Sequence, residues 1–237
     1  MQSAWKTRGY RRRLEAAGLT DELAMEGVDS IDLTLARIPY LAEAEWRSRP
    51  NDYLNPRARN GRPRLQYPAG VTPRVALVGA DFETTRNVES FDAGDTARLI
   101  RFEPQALAAP VDVLLRMSAS GLPRLSHALI AFTGIERTRV DEADRDALWR
   151  AFRVPLFEQF VGLDGELIAY ECEAHHGLHL VADNAVVERN GGPALLLTSL
   201  TDCRRPLLRL AIPLAGRIEC APCDCGLAGR RLFTRPR

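Results

Sequence analysis

The chain has 237 residues, 46% of them apolar and 27% charged, a balance that suits one large or two small globular domains and argues against disorder. Its 32 basic and 31 acidic residues leave a net charge of +1, so no global field holds it on nucleic acid or on an anionic membrane, and neither partner is expected. Lys6 is the only lysine, which removes internal lysines as Schiff-base, phosphate-binding or acyl-transfer groups.

The N-terminus MQSAWKTRGYRRRL lacks an apolar core of signal-peptide length, and no window approaches the ~20 apolar residues of a membrane span, so a cytoplasmic protein is expected. Residues 3–17 have helical spacing, with Trp5, Tyr10, Leu14 and Ala17 near one face and Gly18 as a stop. A second helix is predicted from near Ser30 in SIDLTLARI to Pro39, and a third in AEAEWRSR before Pro50. Residues 50–73 carry five prolines, two glycines and Arg57, Arg59, Arg62 and Arg64; they read as a loop with a solvated basic face, as do Arg11, Arg12 and Arg13 on the first helix.

From residue 74 the pattern changes. RVALVGA and ARLIRF read as buried strands, PQALAAPVDVLLRMSAS as a helix beginning at its proline, and HALIAFTGI as a strand. DEADRDALWRAF reads as an amphipathic helix with acids in its first turn, and VPLFEQFVG as a further strand. Alternation of this kind predicts an α/β fold with a layered, mainly parallel sheet. Beyond Gly162, the runs LIAYECEA, GLHLVAD, AVVER, ALLLTSL, PLLRLAI and GRIEC, separated by HHG, NGG, TDCRRP and PLAG turns, predict a small antiparallel β subdomain. The expected division is N-terminal helices over 1–49, a linker over 50–73, an α/β core over 74–162, and an antiparallel subdomain with a Cys-rich tail over 163–237.

The stretch YECEAHHGLHLVAD, residues 170–183, concentrates one cysteine, three histidines and three carboxylates. Alternation puts Tyr170, Cys172 and Ala174 on one strand face and His179 with Val181 on a face of the next, leaving His175 and His176 in an exposed turn. Cys172 and His179 then face each other, and the cluster Cys220, Cys223, Cys225 supplies further thiolates. Five cysteines, an odd number, suit reduced thiols or metal ligands rather than a disulfide framework. Zinc takes four soft or borderline ligands in a tetrahedron, and the candidate set is Cys172, His179, Cys223 and Cys225, with Cys220 as alternate. The competing reading is buried free cysteines beside a packed histidine. Cys203, in the TDCRRP turn, reads as incidental. A thiol-nucleophile reading lacks an orienting carboxylate, since Glu171 and Glu173 point away from Cys172.

The order AFRVPLFEQFVG, AYECEAHHGLHLVAD, VVE, LLLTSLTDCRRPLLRL and CDCG resembles the latter half of the large domain of the phenylacetate–CoA ligase and coenzyme F390 synthetase group, adenylate-forming enzymes that activate a carboxylate with ATP. LIAFTGIERTRVDEADRDALWRAF resembles the strand, Gly-Glu turn and helix before that group's Tyr-Gly-x-Thr/Ser-Glu motif, and YRRRLEAAGL with SIDLTLARIPYLAEAEWR resembles its opening helices. The resemblance implies a reduced ligase N-terminal domain and an acyl or nucleotide cleft near Gly134, Glu136, Phe160 and Gly162, with Asp164, Glu166 and Arg209 as further ligand-binding candidates.

It also marks departures. The phosphate loop is reduced to RNGRPRL, with Gly61-Arg62-Pro63 as its remnant; MSASGLPR, residues 117–124, has suitable residue types but lies too close before Gly162. Val161 stands for the stacking tyrosine, Gly165 for the magnesium-holding carboxylate, and Leu214 for the ribose aspartate. The mobile C-terminal domain with its lysine does not follow TRPR. Each lost donor of this kind costs ~10²–10³ in rate. The expectation is therefore a shortened, non-catalytic or accessory ligase-like protein with a vestigial cleft for a small acyl or aryl acid or a nucleotide. Two alternatives stand beside it: an ATP-dependent acyl- or aryl-CoA ligase completed by a partner chain, with ATP and magnesium as cofactors, and a zinc-stabilised interaction domain.

Overall fold

The computed structural model describes residues 2–19, 35–68, 73–119, 124–136, 139–191 and 194–235. The chain forms a mixed α/β fold and divides into two compact units, one drawn from residues 1–61 and 182–217, the other from 62–181 and 218–236.

In the first unit, α1 (Gln2–Trp5) and α2 (Arg8–Ala16) replace the single helix expected over residues 3–17. Thr7 is the reason: its hydroxyl donates to the Ala4 carbonyl at 2.8 Å and accepts from Tyr10 N–H, capping α2 where a continuous helix would have used those groups itself. Tyr10 and Leu14 are buried as expected, Ala17 is exposed, and Gly18 turns the chain at φ 76°. The helix start expected at Ser30 lies outside the described residues. α3 (Glu43–Ser48) follows, and a 3-10 turn over Pro50–Tyr53 opens the predicted loop. The same unit holds the antiparallel strands β8 (Ala185–Arg189), β9 (Ala194–Ser199) and β10 (Leu210–Glu219), in the order β8-β9-β10. PLAG is not a turn here. β10 runs through it, with a register shift between Ile212 and Ala215 that absorbs Pro213.

The second unit is built on β1 (Val75–Val78), β2 (Val88–Phe91), β3 (Ala106–Pro110), β4 (Leu129–Gly134), β5 (Leu156–Val161), β6 (Leu167–Glu171), β7 (Leu178–Leu180) and β11 (Arg231–Arg235), ordered β2-β1-β3-β4-β5-β6-β7-β11. Pairing is parallel from β2 through β5 and antiparallel from β5 through β11. Helices α4 (Thr96–Phe102), α5 (Val111–Ser118) and α6 (Glu142–Phe152) complete it.

Two expectations fail here. ARLIRF is helical, because Asp95 accepts from Arg98 N–H and starts α4, while the strand beside β1 is the more polar VESF. PQALAAP is not the first turn of a helix: Ala106–Pro110 forms the wholly buried β3 between β1 and β4, and α5 starts only after Pro110. RLFTR, expected to be tail, is β11.

The central parallel strands β1 and β3 are apolar on both faces, and β4 nearly so, because both faces are covered. One face packs Ala76, Val78, Leu107, Ala109, Leu129 and Ala131 against Leu114, Met117, Leu148 and Phe152 of α5 and α6. The other packs Val75, Leu77, Ala108, Ile130 and Phe132 under Phe82, with Leu65 and Tyr67 of the irregular 62–68 segment over it. The Phe82 and Phe132 rings stack at 4.8 Å.

Candidate metal centre

β6 delivers Cys172 as the residue just past its end, and β7 returns with His179 directly opposite Tyr170, whose ring stacks on the imidazole at 5.6 Å. The connection is tight. His175 takes φ 50° and its N–H bonds the Cys172 carbonyl at 3.0 Å; Gly177 takes φ 79° under the Phe233 ring, where a Cβ would lie 2.9 Å from the ring edge. His175 and His176 are exposed turn residues, as the alternation requires. Cys223 and Cys225 come from the loop before β11, closed by a bond from Gly226 N–H to the Cys223 carbonyl at 2.9 Å, with Gly226 at φ 81°. β11 then pairs with β7, Arg231 opposite His179 and Leu232 opposite Leu178, which fixes the loop over the hairpin.

The four donor atoms of Cys172, His179, Cys223 and Cys225 all lie within 4.8 Å of one another. Cys172 Sγ and Cys223 Sγ are 3.7 Å apart, and Cys225 Sγ lies 3.4 Å from His179 Nε2. In a tetrahedron with Zn–S of ~2.3 Å and Zn–N of ~2.05 Å, the S···S and S···N edges are about 3.8 and 3.6 Å. The observed separations match those edges, and 3.7 Å is far beyond the ~2.05 Å of a disulfide. Cys172, His179 and Cys223 are 7%, 4% and 6% exposed, whereas Cys220 and Cys203 are exposed outside the cluster.

Electrostatics suit a cation. Burial pushes the Cys172 thiol up to about 11, so thiolate forms there only with a compensating charge. Cys223 is pulled down, first by the Cys225 backbone N–H and then by the neighbouring thiols and the Arg231 guanidinium. Burial, and secondarily Arg231, lower His179, which keeps its imidazole neutral at pH 7 with a lone pair to offer.

The residues singled out for a ligand cleft are drawn from both units. In the second unit, Gly134 ends β4 so close to β5 that a Cβ would lie 2.4 Å from the Val161 carbonyl oxygen, and Phe160 is fully buried. Gly162 to Glu166 form the β5–β6 turn. Gly165, at φ 90°, packs against Pro63 and Phe82, and the Glu166 carboxylate lies directly over Gly162, where a Cβ would be 1.8 Å from Oε1. Asp164 is partly exposed and Glu136 exposed. Arg209 belongs to the first unit, where it pairs with Glu188 at 3.2 Å and donates to the Leu35 and Ile38 carbonyls. Gly61, Arg62 and Pro63 lie in irregular chain with Arg62 paired to Asp81, and residues 120–123 of MSASGLPR lie outside the described residues.

Sequence reasoning missed a buried ion network beside the centre. Glu158, mid-strand in β5, accepts from Thr133 Oγ1 at 2.7 Å and pairs with Arg139 at 2.8 Å; Glu171 pairs with Arg145 at 3.0 Å and accepts from Glu158 N–H. The signal was the pair Glu158-Gln159 inside the run VPLFEQFV, whose other residues are apolar; a buried strand tolerates such a glutamate only with a partner.

No protein-family profile matches the chain, and no curated protein matches its sequence. Its fold is that of part of an adenylate-forming CoA ligase. It superposes on 2-hydroxyisobutyryl-CoA ligase bound to 2-HIB-AMP and CoA in the open conformation with a TM-score of 0.67 and 16% identity, over 99% of this chain and 67% of that one. Against the same ligase in its thioesterification state the TM-score is 0.68 at 15% identity, over 99% of this chain and 65% of that one. At such identities the likeness is one of fold, and the chain spans about two thirds of the length of the ligase.

Proposed function

We propose that this chain is a ligase-fold binding or accessory protein, related to the phenylacetate–CoA ligase and F390 synthetase group, in which a structural zinc ion is held by Cys172, His179 Nε2, Cys223 and Cys225. The observation that supports the centre is the donor spacing, 3.7 Å between Cys172 and Cys223 and 3.4 Å between Cys225 and His179 Nε2. Four protein donors fill a tetrahedron, so the ion supplies cross-linking rather than Lewis-acid chemistry. This chain's own part is to converge two ligands from a hairpin and two from a loop before a strand that pairs with that hairpin, so ligation joins segments about 50 residues apart.

The accessory reading rests on residues within the chain. Where the resemblance calls for a stacking tyrosine, a magnesium-holding acid and a ribose acid, the chain has Val161, Gly165 and Leu214, and the neighbouring acid Glu166 is folded over Gly162. Positioning charge is most of what adenylation asks of a protein, and several lost donors at ~10²–10³ each leave little rate. The ligand class that the fold suggests is a small acyl or aryl acid or a nucleotide, since the similar ligase holds 2-HIB-AMP and CoA.

Metal analysis of protein purified under reducing conditions is expected to give one zinc per chain, and Cys223→Ser is expected to lose both the metal and several degrees of thermal stability. Protein free of zinc, with a Cys223→Ser variant as stable as the parent, would defeat the centre. No ATP–pyrophosphate exchange is expected with a panel of acyl and aryl acids; exchange that appears on adding a partner chain would favour the second reading, an ATP- and magnesium-dependent CoA ligase assembled from two polypeptides.

A further inference from the structure

Arg231, the first residue of β11, is only 2% exposed, and among the described residues no carboxylate pairs with it. Its guanidinium is spent on backbone carbonyls. Nη1 donates to His176 O at 2.9 Å, and Nη2 to Pro222 O at 3.2 Å and Ala221 O at 3.4 Å; Nε has no acceptor among the described residues. These carbonyls belong to the turn that precedes His179 and to the loop that leads into Cys223, so one side chain grips both halves of the ligand set. The Phe233 ring sits 5.3 Å from Cζ, and Arg231 faces His179 across the β7–β11 pair.

A buried guanidinium with no counter-ion is costly. When metallated, the thiol cluster supplies the missing anion: three thiolates, one neutral imidazole and a divalent ion sum to a single negative charge, which one guanidinium cancels. With thiols protonated and no ion bound, the site is neutral and Arg231 is uncompensated.

We propose that Arg231 is the counter-charge of the metal centre, making a monoanionic three-thiolate, one-imidazole site with a divalent ion the charge state that the second unit is built to hold. The inference rests on the zinc reading above. It also narrows the occupant, because a monovalent ion in the same four ligands would leave the site doubly negative against one arginine.

The test compares R231M and R231K with the parent full-length protein. Zinc affinity is measured by competition with a fluorescent chelator, and the cobalt-substituted form is followed by its sulfur-to-metal charge-transfer band. R231M is expected to lose 10- to 100-fold in zinc affinity, the usual cost of removing an outer partner of a metal ligand. Its charge-transfer band is expected at lower energy, because thiolates without a nearby cation give up an electron more readily. R231K, which keeps the charge without the guanidinium fork, is expected within a few-fold of the parent with the band unmoved. Equal losses in both variants would make Arg231 a clamp whose charge is immaterial, and an unchanged R231M would remove it from the centre; either overturns the proposal while leaving zinc in place. Should R231M fail to fold, R231K decides alone, since any loss beyond about tenfold contradicts a charge role. A parent protein that binds no zinc overturns both readings, and its metal content is measured first.

Discussion

Glu158 occupies the middle of a strand whose every residue is buried, and it is 3% exposed. Burial raises the acid's proton affinity, against which Arg139 at 2.8 Å and the hydroxyl of Thr133 favour the charged form; Arg139 is itself weakened as a base by burial. Two carboxylates and two guanidinium groups form the heart of the network, with Arg145 bridging Glu158 and Glu171 and His175 Nδ1 3.1 Å from Glu171. Breaking a buried pair by removing one partner costs about 3–5 kcal/mol, because the other charge is stranded. Glu158→Gln should therefore destabilise by that order in urea unfolding. The double variant Glu158→Gln/Arg139→Met should recover much of the loss. Additive losses in the double-variant cycle would show that the two groups do not depend on each other.

Among elements, α2 and the 3-10 turn at Pro50–Tyr53 meet through Tyr10 and Tyr53, whose rings form an edge-to-face pair at 5.0 Å. Gly9 permits this approach: a Cβ there would lie 2.5 Å from the Tyr53 ring. Tyr10 is fully buried with its hydroxyl accepting from Leu208 N–H at 2.8 Å, and Tyr53 donates to Glu45 at 2.9 Å. Burial raises both phenols, Tyr53 to about 12. The unfolded chain releases those protons near pH 10 and the folded one does not, so this stabilisation is complete below about pH 10 and is lost as pH rises toward 12. Thermal melts between pH 9 and 11.5 should fall steeply in the parent and less so in Tyr53→Phe; parallel curves would refute the assignment. The same scale shows why sequence succeeded in some places and failed in others. α6 was legible because Asp141 and Asp144 write a capping box and its apolar residues keep helical spacing. The ALAAP segment was not, since alanine favours helix and only pairing between β1 and β4 makes it a strand. The four metal-ligand candidates could be read from cysteine spacing and strand alternation. Arg231 could not, because its role depends on β11 lying beside β7, a long-range pairing that RLFTR does not announce.

At the scale of the whole molecule, the second unit combines a parallel core, sealed on both faces by apolar side chains, with an antiparallel flank that carries the candidate metal ligands and much of the ion network. Those two parts are expected to differ in local stability. Chelation under reducing conditions should expose the amides of β7, residues 172–180 and β11 to hydrogen exchange while β1, β3 and β4 stay protected. Uniform loss of protection would show that the ion supports the entire unit rather than its flank. The order in which the chain is made gives the pairing of Arg231 with His179 a further consequence. After β7 leaves the ribosome, the chain goes on to make β8, β9 and β10 before β11 appears. At ~5–20 residues per second, β7 waits roughly 3–10 s for its partner strand. During that interval its backbone donors and acceptors on that side are open, as are Cys172 and His179. A nascent chain in that state can pair its bare strand with a neighbour on the same message, so the yield of correctly folded protein should depend on translation speed between residues 181 and 231 more than on any other stretch.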